Sequence, residues 1–358
     1  MNIFWLQRKK CINYLICISL LALLVVLVQN YFIPTKVYHY LYPKESLYCY
    51  RVCSNTLTDI SEETPVKGKS IFFHETSCNS FFNGKTTITA RQACAVESAA
   101  KMNPGMGVYL LFTSPGRLKF EGDESDDILK ALLSYENVKL LHVNFDEYTK
   151  GTPVEELYRS GLLDDSGYAQ SHASDVLRYL TLWKYGGIYL DLDVIVVRSL
   201  EELAYNYAGC ESDINVAAGV MSFSPDGLGH QLARTCLEDL RDHFDGRDWG
   251  NNGPGVITRL LRRICGTQQA KDMITKDCQG FQVYPPDRFY AVPWTKWHMY
   301  FDENATRTVF NMSKNSYVVH VWNKHSQVEK LPLDSDAAYM VYAKKFCPRV
   351  VAQCREGF

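Results

Sequence analysis

From residue 71 onward, the chain alternates between short apolar runs and longer amphipathic stretches. The apolar runs have the length of buried strands, whereas the amphipathic stretches repeat their apolar positions at helical spacing. We predict strands at 107–112, 138–143, 188–197, 216–223 and 317–322, and helices at 90–101, 126–134, 174–185 and 229–243. Strands that alternate with helices predict an α/β domain with a mainly parallel central sheet. No internal repeat or second domain boundary interrupts the pattern after residue 70.

The N-terminal part has a different pattern. Residues 11–33 include no charged side chain, and these 23 residues would form a helix about 34 Å long, enough to cross a bilayer core of roughly 30 Å. Arg8, Lys9 and Lys10 precede the run, which predicts a cytosolic N-terminus and a lumenal remainder. A cleaved signal peptide is the alternative, but the run is long for one and 26–30 lacks a small-x-small cleavage pattern. We predict a cytoplasmic tail at 1–10, a transmembrane anchor at 11–33, a stem at 34–70 and a lumenal domain at 71–358.

Composition narrows the class of protein. The 358 residues are 46% apolar and 22% charged, and the formal net charge is -2 at pH 7. Such a chain supports a large packed core, which excludes global disorder. No long basic run occurs outside the N-terminus, so the charge pattern does not indicate nucleic-acid binding.

Cysteine usage agrees with a lumenal domain. Cys11 and Cys17 lie in the predicted anchor, and ten cysteines follow it: Cys49, Cys53, Cys78, Cys94, Cys210, Cys236, Cys265, Cys278, Cys347 and Cys354. An even number is typical of disulfide bonding in an oxidising compartment. The connectivity stays open, with Cys265–Cys278 as the simplest pair, and no C-x-x-C or paired-histidine spacing supports a zinc site instead. N-glycosylation triplets begin at Asn304 and Asn311, which fits the same orientation.

A predicted helix, a turn and a strand follow one another between residues 174 and 193. Ser174 is of a type that caps helices, and the pair Gly186-Gly187 can adopt the left-handed conformation that ends one. Asp175 and Arg178 are three residues apart, so they share a face near the predicted helix start. The segment therefore presents charged side chains on both sides of a sharp turn.

Two carboxylates lie near the end of the predicted strand 188–197. Asp191 and Asp193 point to the same face, because side chains alternate along a strand. Two convergent carboxylates form an oxygen-rich site for a divalent cation, with satisfied structural carboxylates as the alternative. A second acidic pair, Asp334 and Asp336, lies in polar sequence after a proline, and we interpret it as solvated surface.

The stretch 174–193 resembles the core motif of glycosyltransferases with a GT-A fold. It is most similar to the family of α1,4-galactosyltransferases and α1,4-N-acetylglucosaminyltransferases, which includes globotriaosylceramide (Gb3) synthase. Further stretches resemble this family in the same order, at 71–76, 94–100, 249–255, 291–294 and 320–327. The resemblance implies a Rossmann-like nucleotide-sugar domain, a retaining transfer from a UDP-sugar, Mn²⁺ as the usual ion, and a single-pass type II protein of the Golgi membrane.

The same resemblance implies a metal site. Asp191 and Asp193 would hold the ion, with Asp191 also near the donor ribose. His320 on a late strand would be the third ligand, since imidazole is a plausible partner for Mn²⁺. A histidine satisfied within the core is the alternative.

Other residues are expected to contact the donor. Lys324 would contact the diphosphate as a point charge, unless it is simply solvated. Asp175 and Arg178 would orient the donor or pair with each other. Asn251 and Asn252 would line the site near the reacting carbon, unless their Asn-Gly-Pro context serves only as a turn.

The expected reaction is an α1,4 transfer of galactose, or of N-acetylgalactosamine, to a glycosphingolipid. Trp294, Trp297 and Tyr300 would stack on acceptor sugars, unless they belong to the core. The alternatives are an α1,4-N-acetylglucosaminyltransferase that acts on protein glycans and a non-catalytic lumenal binding protein. A metal-dependent hydrolase would need a motif such as H-E-x-x-H, and His74-Glu75 is followed by Cys78 instead of a histidine.

Overall fold

The computed structural model describes residues 46–52, 54 and 56–358, together with Ser19. The predicted tail, the predicted anchor apart from Ser19, and residues 34–45 of the predicted stem lie outside the described residues. In the part of the chain that is described, no helix is both long enough and apolar enough to span a bilayer. A compact unit extends from Leu47 to Phe358, so residues 47–70, which the sequence pattern assigns to the stem, are part of it.

The described residues form two β-sheets. The strands are β1 (Ser70–Glu75), β2 (Gly107–Phe112), β3 (Val138–His142), β4 (Gly187–Leu190), β5 (Val194–Val196), β6 (Tyr207–Cys210), β7 (Val216–Phe223), β8 (Gln282–Tyr284) and β9 (Val318–His320). The larger sheet has the order β3-β2-β1-β4-β7-β6-β8, and β5 pairs with β9 in a separate antiparallel sheet. Within the larger sheet only β7 runs antiparallel to its neighbours, β4 and β6. The predicted α/β architecture with a mainly parallel central sheet is confirmed.

Helices cover both faces of the larger sheet. They are α1 (Asn79–Asn83), α2 (Ala90–Met102), α3 (Glu124–Leu133), α4 (Phe145–Thr149), α5 (Glu155–Arg159), α6 (Ala169–Tyr185), α7 (Gly227–His243), α8 (Pro254–Cys265), α9 (Ala270–Met273), α10 (Pro286–Phe289), α11 (Thr306–Met312), α12 (Asn323–Ser326), α13 (Ala338–Phe346) and α14 (Pro348–Val351). Short 3-10 turns occupy Tyr48–Arg51, Trp294–Tyr300 and Glu303–Ala305. Alternate residues of β1 explain this layering, because Ile71 and Phe73 pack with α2 while Phe72 packs with α6.

Most predicted elements are present, and two predictions are wrong. The predicted strand 188–197 is divided into β4 and β5, so Asp191 and Asp193 do not alternate along one strand. The chain leaves the larger sheet after Leu190 and joins β9 at Val194. Ser174 does not cap a helix, because α6 begins five residues earlier, at Ala169. The sequence from Ala169 to Ala173 includes no glycine or proline that would break a helix, so the helix extends back to Ala169.

Gly186 and Gly187 end α6 as predicted. Both have positive φ angles, 63° and 94°, which few other residues tolerate. A Cβ atom on Gly187 would also lie 2.3 Å from the carbonyl oxygen of Ser70 in β1. The pair therefore lets the chain reverse into β4 directly beside β1.

Three disulfides link the described residues. They join Cys49 to Cys78, Cys94 to Cys347 and Cys265 to Cys278, and the last of these is the pair expected from spacing. Cys210, Cys236 and Cys354 are buried thiols, and Cys53 lies outside the described residues. Bonding of most described cysteines agrees with the predicted oxidising compartment.

Candidate functional site

Asp191, Asp193 and His320 meet where β4 ends and β5 pairs with β9. One potential ligand atom from each residue lies within 4.8 Å of the others, and this is the one such group of three found in the described chain. His320 Nε2 lies 3.1 Å from Asp193 Oδ1 and 3.6 Å from Asp191 Oδ2. Two carboxylates and an imidazole around one point suit a divalent cation of the Mn²⁺ type. The residues present therefore fit the metal site expected from the sequence.

Backbone hydrogen bonds orient two of these side chains. The Asn323 N–H donates to Asp193 Oδ2 at 2.6 Å, and the Trp322 N–H donates to His320 Nδ1 at 3.2 Å. Trp322 has φ 56°, a left-handed conformation that is unusual for a bulky residue. Its indole N–H is held by the carbonyl of Val292 at 2.8 Å. This strained turn starts α12 and directs the Asn323 N–H at the carboxylate.

A glycine on the neighbouring strand makes room for the cluster. Gly219 lies in β7, and its carbonyl accepts a hydrogen bond from the Asp191 N–H at 2.9 Å. A Cβ atom at this position would lie 2.6 Å from Asp191 Oδ2 and 3.2 Å from His320 Nε2. No side chain larger than hydrogen fits there without displacing a carboxylate.

Arg178 fixes Asp191 from the other side. Its guanidinium lies 3.2 Å from Asp191 Oδ1 and 3.1 Å from Asp175 Oδ1, and it donates to the Ala218 carbonyl at 3.0 Å. The Tyr189 hydroxyl also donates to Asp191 Oδ1, at 2.7 Å. Arg178 is buried and pairs with Asp175, which is one of its two predicted roles, and its contact with a donor stays a prediction.

The buried charges shift one another's pKa values. Burial alone would raise the pKa of Asp191, but Arg178 and His320 outweigh it and the pKa lies below its usual range. Burial raises the pKa of Asp193, and it raises the pKa of Asp175 to about 7. Burial opposes the charge of His320, but Asp193 and Asp191 hold its pKa above the usual value. The two aspartates thus favour a positive charge beside them, which a proton on His320 supplies and a bound divalent cation could supply in its place.

Lys324 lies one residue beyond the amide that binds Asp193. Its ammonium lies 3.3 Å from the ring centroid of Trp249 and 6.0 Å from that of Tyr168. Burial lowers its pKa, while Asp248 opposes the shift. The side chain therefore places a positive charge against Trp249, and its contact with a diphosphate stays a prediction.

Asn251 and Asn252 are held within their own loop. Asn252 is buried, accepts from the Asp245 N–H at 3.0 Å and donates to the Asp245 carbonyl at 2.8 Å. Asn251 donates to the His243 carbonyl and accepts from Arg259 at 2.9 Å. These bonds order the loop, and the role of the two amides near a reacting carbon stays a prediction.

The remaining predicted side chains separate into surface and core. Asp334 and Asp336 are exposed, as expected for the solvated acidic pair. Trp294 is exposed and stacks on His325, whereas Tyr300 is fully buried. Tyr300 therefore belongs to the core and presents no ring to an acceptor.

Several residues of this site carry no distinctive sequence pattern. Asp191, Asp193 and His320 form the candidate metal site, which we call the metal cluster. Tyr189, Gly219 and Trp322 support it, but a tyrosine or glycine in an apolar strand is ordinary. The His74 ring lies 5.2 Å from that of Tyr189, and burial followed by the charge of Arg178 lowers its pKa to about 3. The family-like stretches 71–76, 174–193 and 320–327 include His74, Tyr189 and Trp322, whereas Gly219 lies in none of the stretches that resemble the family.

Two protein families match the chain. A family described as glycosyltransferase sugar-binding region containing DXD motif matches residues 89–209, which include Asp175, Arg178, Asp191 and Asp193. A family described as α1,4-glycosyltransferase conserved region matches residues 225–354, which include His320 and Lys324. Together the two matches span both halves of the site.

Named relatives cover most of the chain. The lactosylceramide 4-alpha-galactosyltransferase of Rattus norvegicus is 31% identical over 280 residues, which are 78% of this chain and 74% of the relative. The protein of that name from Homo sapiens is 31% identical over 283 residues, or 78% and 75% of the two chains. The α1,4-N-acetylglucosaminyltransferase of Homo sapiens is 28% identical over 267 residues, or 74% and 76%.

The solved structures are less similar to this chain in sequence than the named relatives are. The PaToxG glycosyltransferase has 17% identity and a TM-score of 0.41, with 72% of this chain and 91% of that chain covered. The galactosyltransferase LgtC, in complex with donor and acceptor sugar analogs, has 14% identity and a TM-score of 0.34, with 79% and 95% covered. At these scores the likeness adds nothing to the topology described above.

Proposed function

The chain belongs to the α1,4-glycosyltransferase family, and we propose from this membership that it transfers galactose, or N-acetylgalactosamine, from a UDP-sugar to a glycosphingolipid in α1,4 linkage. The relatives named lactosylceramide 4-alpha-galactosyltransferase support galactose as the sugar and a glycolipid as the acceptor. The observation that carries the proposal is the convergence of Asp191, Asp193 and His320 at one point. A non-catalytic binding protein would have no need of such a cluster.

In this proposal the three side chains hold Mn²⁺. A bound divalent cation would neutralise the charge that develops on the departing nucleoside diphosphate. Arg178 and Tyr189 keep Asp191 in place, and the Asn323 N–H keeps Asp193 in place. Lys324 adds a positive charge on the diphosphate side of the cluster.

Stereochemistry and site roles follow the family expectation. We infer a retaining transfer by front-side displacement within a GT-A type domain. Asp175 and Arg178 would orient the donor, and Arg178 also contacts Asp191. Asn251 and Asn252 would line the site near the reacting carbon, on the loop that carries Trp249. Exclusion of water from the site protects the donor from hydrolysis.

Location is part of the same proposal. The uncharged run at 11–33 and the basic residues before it support a single-pass type II protein of the Golgi membrane. Asn304 and Asn311 are exposed and would carry N-glycans in the lumen. Protease treatment of sealed microsomes should spare everything after residue 34, and digestion of the lumenal domain there would contradict this orientation.

A donor and acceptor panel tests the function. The full-length protein in detergent is assayed with UDP-galactose, UDP-N-acetylgalactosamine and UDP-N-acetylglucosamine, each against lactosylceramide and protein-linked glycans, with Mn²⁺ or with a chelator. We expect Mn²⁺-dependent α1,4 transfer of galactose or N-acetylgalactosamine to lactosylceramide. Transfer of N-acetylglucosamine alone, to protein glycans alone, would favour the activity of the 28% identical relative. Donor cleavage that ignores every acceptor would indicate a hydrolase.

A further inference from the structure

Two aromatic side chains lie exposed beside Lys324. Tyr168 precedes α6 and is 37% exposed, and Trp249 lies between α7 and α8 and is 38% exposed. The Lys324 ammonium approaches both rings, at 6.0 Å and 3.3 Å from their centroids. The two rings therefore flank one cation and form a single surface, which we call the Tyr168–Trp249 platform.

The platform adjoins the metal cluster. Lys324 directly follows Asn323, whose N–H binds Asp193 at 2.6 Å. A diphosphate held by the metal cluster and Lys324 would consequently lie within one side-chain length of Trp249. An acceptor hydroxyl must approach the donor carbon bonded to that diphosphate, so it must arrive near these two rings.

The platform is also rigid. Its two loops are joined by a hydrogen bond from the Gly167 N–H to the Gly246 carbonyl at 3.0 Å, and the Ser166 hydroxyl donates to the same carbonyl at 3.1 Å. The buried Asn252 fixes the second loop through Asp245. Large exposed rings on a rigid support lose little conformational entropy when a ligand binds them.

We propose that the Tyr168–Trp249 platform binds the terminal sugar of the acceptor. A hexose has an apolar face of C–H groups, which suits flat aromatic rings, and hydroxyls at its edge, which suit the neighbouring Lys324 and Asp248. The Lys324 ammonium covers part of Trp249, but the residue remains 38% exposed, which leaves surface for the sugar. This inference rests on the proposed transfer reaction and assigns its acceptor subsite.

The test separates acceptor binding from donor chemistry. In full-length protein, Trp249→Ala should raise the KM for lactosylceramide at least about 10-fold, since loss of a central aromatic contact commonly costs that much affinity. Tyr168→Ala should have a smaller effect, and Tyr168→Phe should restore it because the ring remains. Slow hydrolysis of the UDP-sugar without acceptor should stay within about 2-fold of wild type in both Tyr168 variants. Trp249→Ala also removes the ring that contacts Lys324, so this variant is judged on lactose binding. Tyr205→Ala is the matched control, because Tyr205 is 44% exposed and contacts Gly68 at the opposite, amino-terminal edge of β1.

Binding of free lactose gives a second readout that needs no transfer. Saturation-transfer NMR should detect lactose on wild type and on the Tyr205→Ala variant, and lose it with Trp249→Ala. Equal lactose binding by wild type and Trp249→Ala, no binding by either, or a loss of donor hydrolysis in the Tyr168 variants that parallels their loss of transfer would overturn the platform. Failure of wild type to use any glycolipid would instead contradict the proposed function, and the lactose comparison would still decide the platform.

Discussion

Gly219→Ala is the sharpest perturbation that the site offers, because it adds one methyl group against two proposed ligands. The new Cβ would lie 2.6 Å from Asp191 Oδ2 and 3.2 Å from His320 Nε2. Ordinary non-bonded contacts are about 3.5 Å, so the carboxylate and the methyl must separate by about 1 Å. Asp191 cannot retreat easily, since Tyr189 and Arg178 hold its other oxygen at 2.7 Å and 3.2 Å.

The expected loss is large for such a small change. A displacement of about 1 Å in a catalytic group can cost about 100-fold in rate, which corresponds to about 2.7 kcal/mol of transition-state stabilisation. We expect kcat/KM to fall at least about 100-fold and Mn²⁺ affinity, measured by electron paramagnetic resonance of the free ion, to fall about 10-fold or more. Both effects have one cause, which is the displaced carboxylate.

A second glycine provides the control for general damage to the sheet. Gly107 begins β2, and a Cβ there would lie 2.8 Å from Tyr109 Cε2. Gly107→Ala therefore introduces a comparable steric conflict against a ring that is not part of the metal cluster. It should lower the thermal unfolding midpoint but leave Mn²⁺ affinity unchanged. Wild-type affinity and activity in Gly219→Ala would refute the assignment of Asp191 as a ligand.

Three further predictions use other observations. Asp193→Asn should reduce activity at least about 100-fold, since a metal ion supplies several kcal/mol, whereas the exposed Asp336→Asn should be near neutral; equal losses would contradict the distinction between the two acidic pairs. Thiol counting on the denatured, unreduced lumenal part should find at most the three buried thiols and Cys53, and ten reactive thiols would contradict an oxidising compartment. Burial raises the pKa of Glu75 from 4.5 to about 7, so the folded state retains a proton that the unfolded chain releases. Stability should therefore fall as pH rises from 4.5 towards 7, and an unchanged slope of thermal stability in Glu75→Gln would show that another group is responsible.

Local sequence patterns identified some of the regular elements of the fold, but not β1, β6 or β8. The strands predicted at 107–112 and 216–223 have the observed bounds, because each apolar run is closed by polar or turn residues. The prediction of one strand at 188–197 is wrong because of tertiary contacts. Its apolar residues continue across Asp191 and Asp193, but the two halves pair with different sheets. The apolar sequence predicts that both halves are buried, but it does not predict which strands they pair with.

Local sequence predicted only part of the metal cluster. The argument that brought Asp191 and Asp193 together assumed one continuous strand, yet the two carboxylates converge because the chain turns between β4 and β5. Asp193 is instead fixed by Asn323, 130 residues away, and Asp191 by Gly219 and Arg178 on other elements. Contacts between such distant residues have no local pattern, so only the family resemblance placed His320 in the site.

Arg178 shows why a spacing in the sequence leaves the role of a residue undecided. Its spacing from Asp175 and its position on the same helix face can be identified from the sequence. Either a donor contact or an ion pair with Asp175 is compatible with both features. The choice depends on burial, since a guanidinium enclosed by Asp175, Asp191 and the Ala218 carbonyl has few donors left for a ligand. A buried cation between two carboxylates instead stabilises the charged state of Asp191 before any metal ion arrives. If Asp191 is a metal ligand as proposed, Arg178 would keep that ligand ionised and oriented, and a contact between Arg178 and the donor stays a prediction.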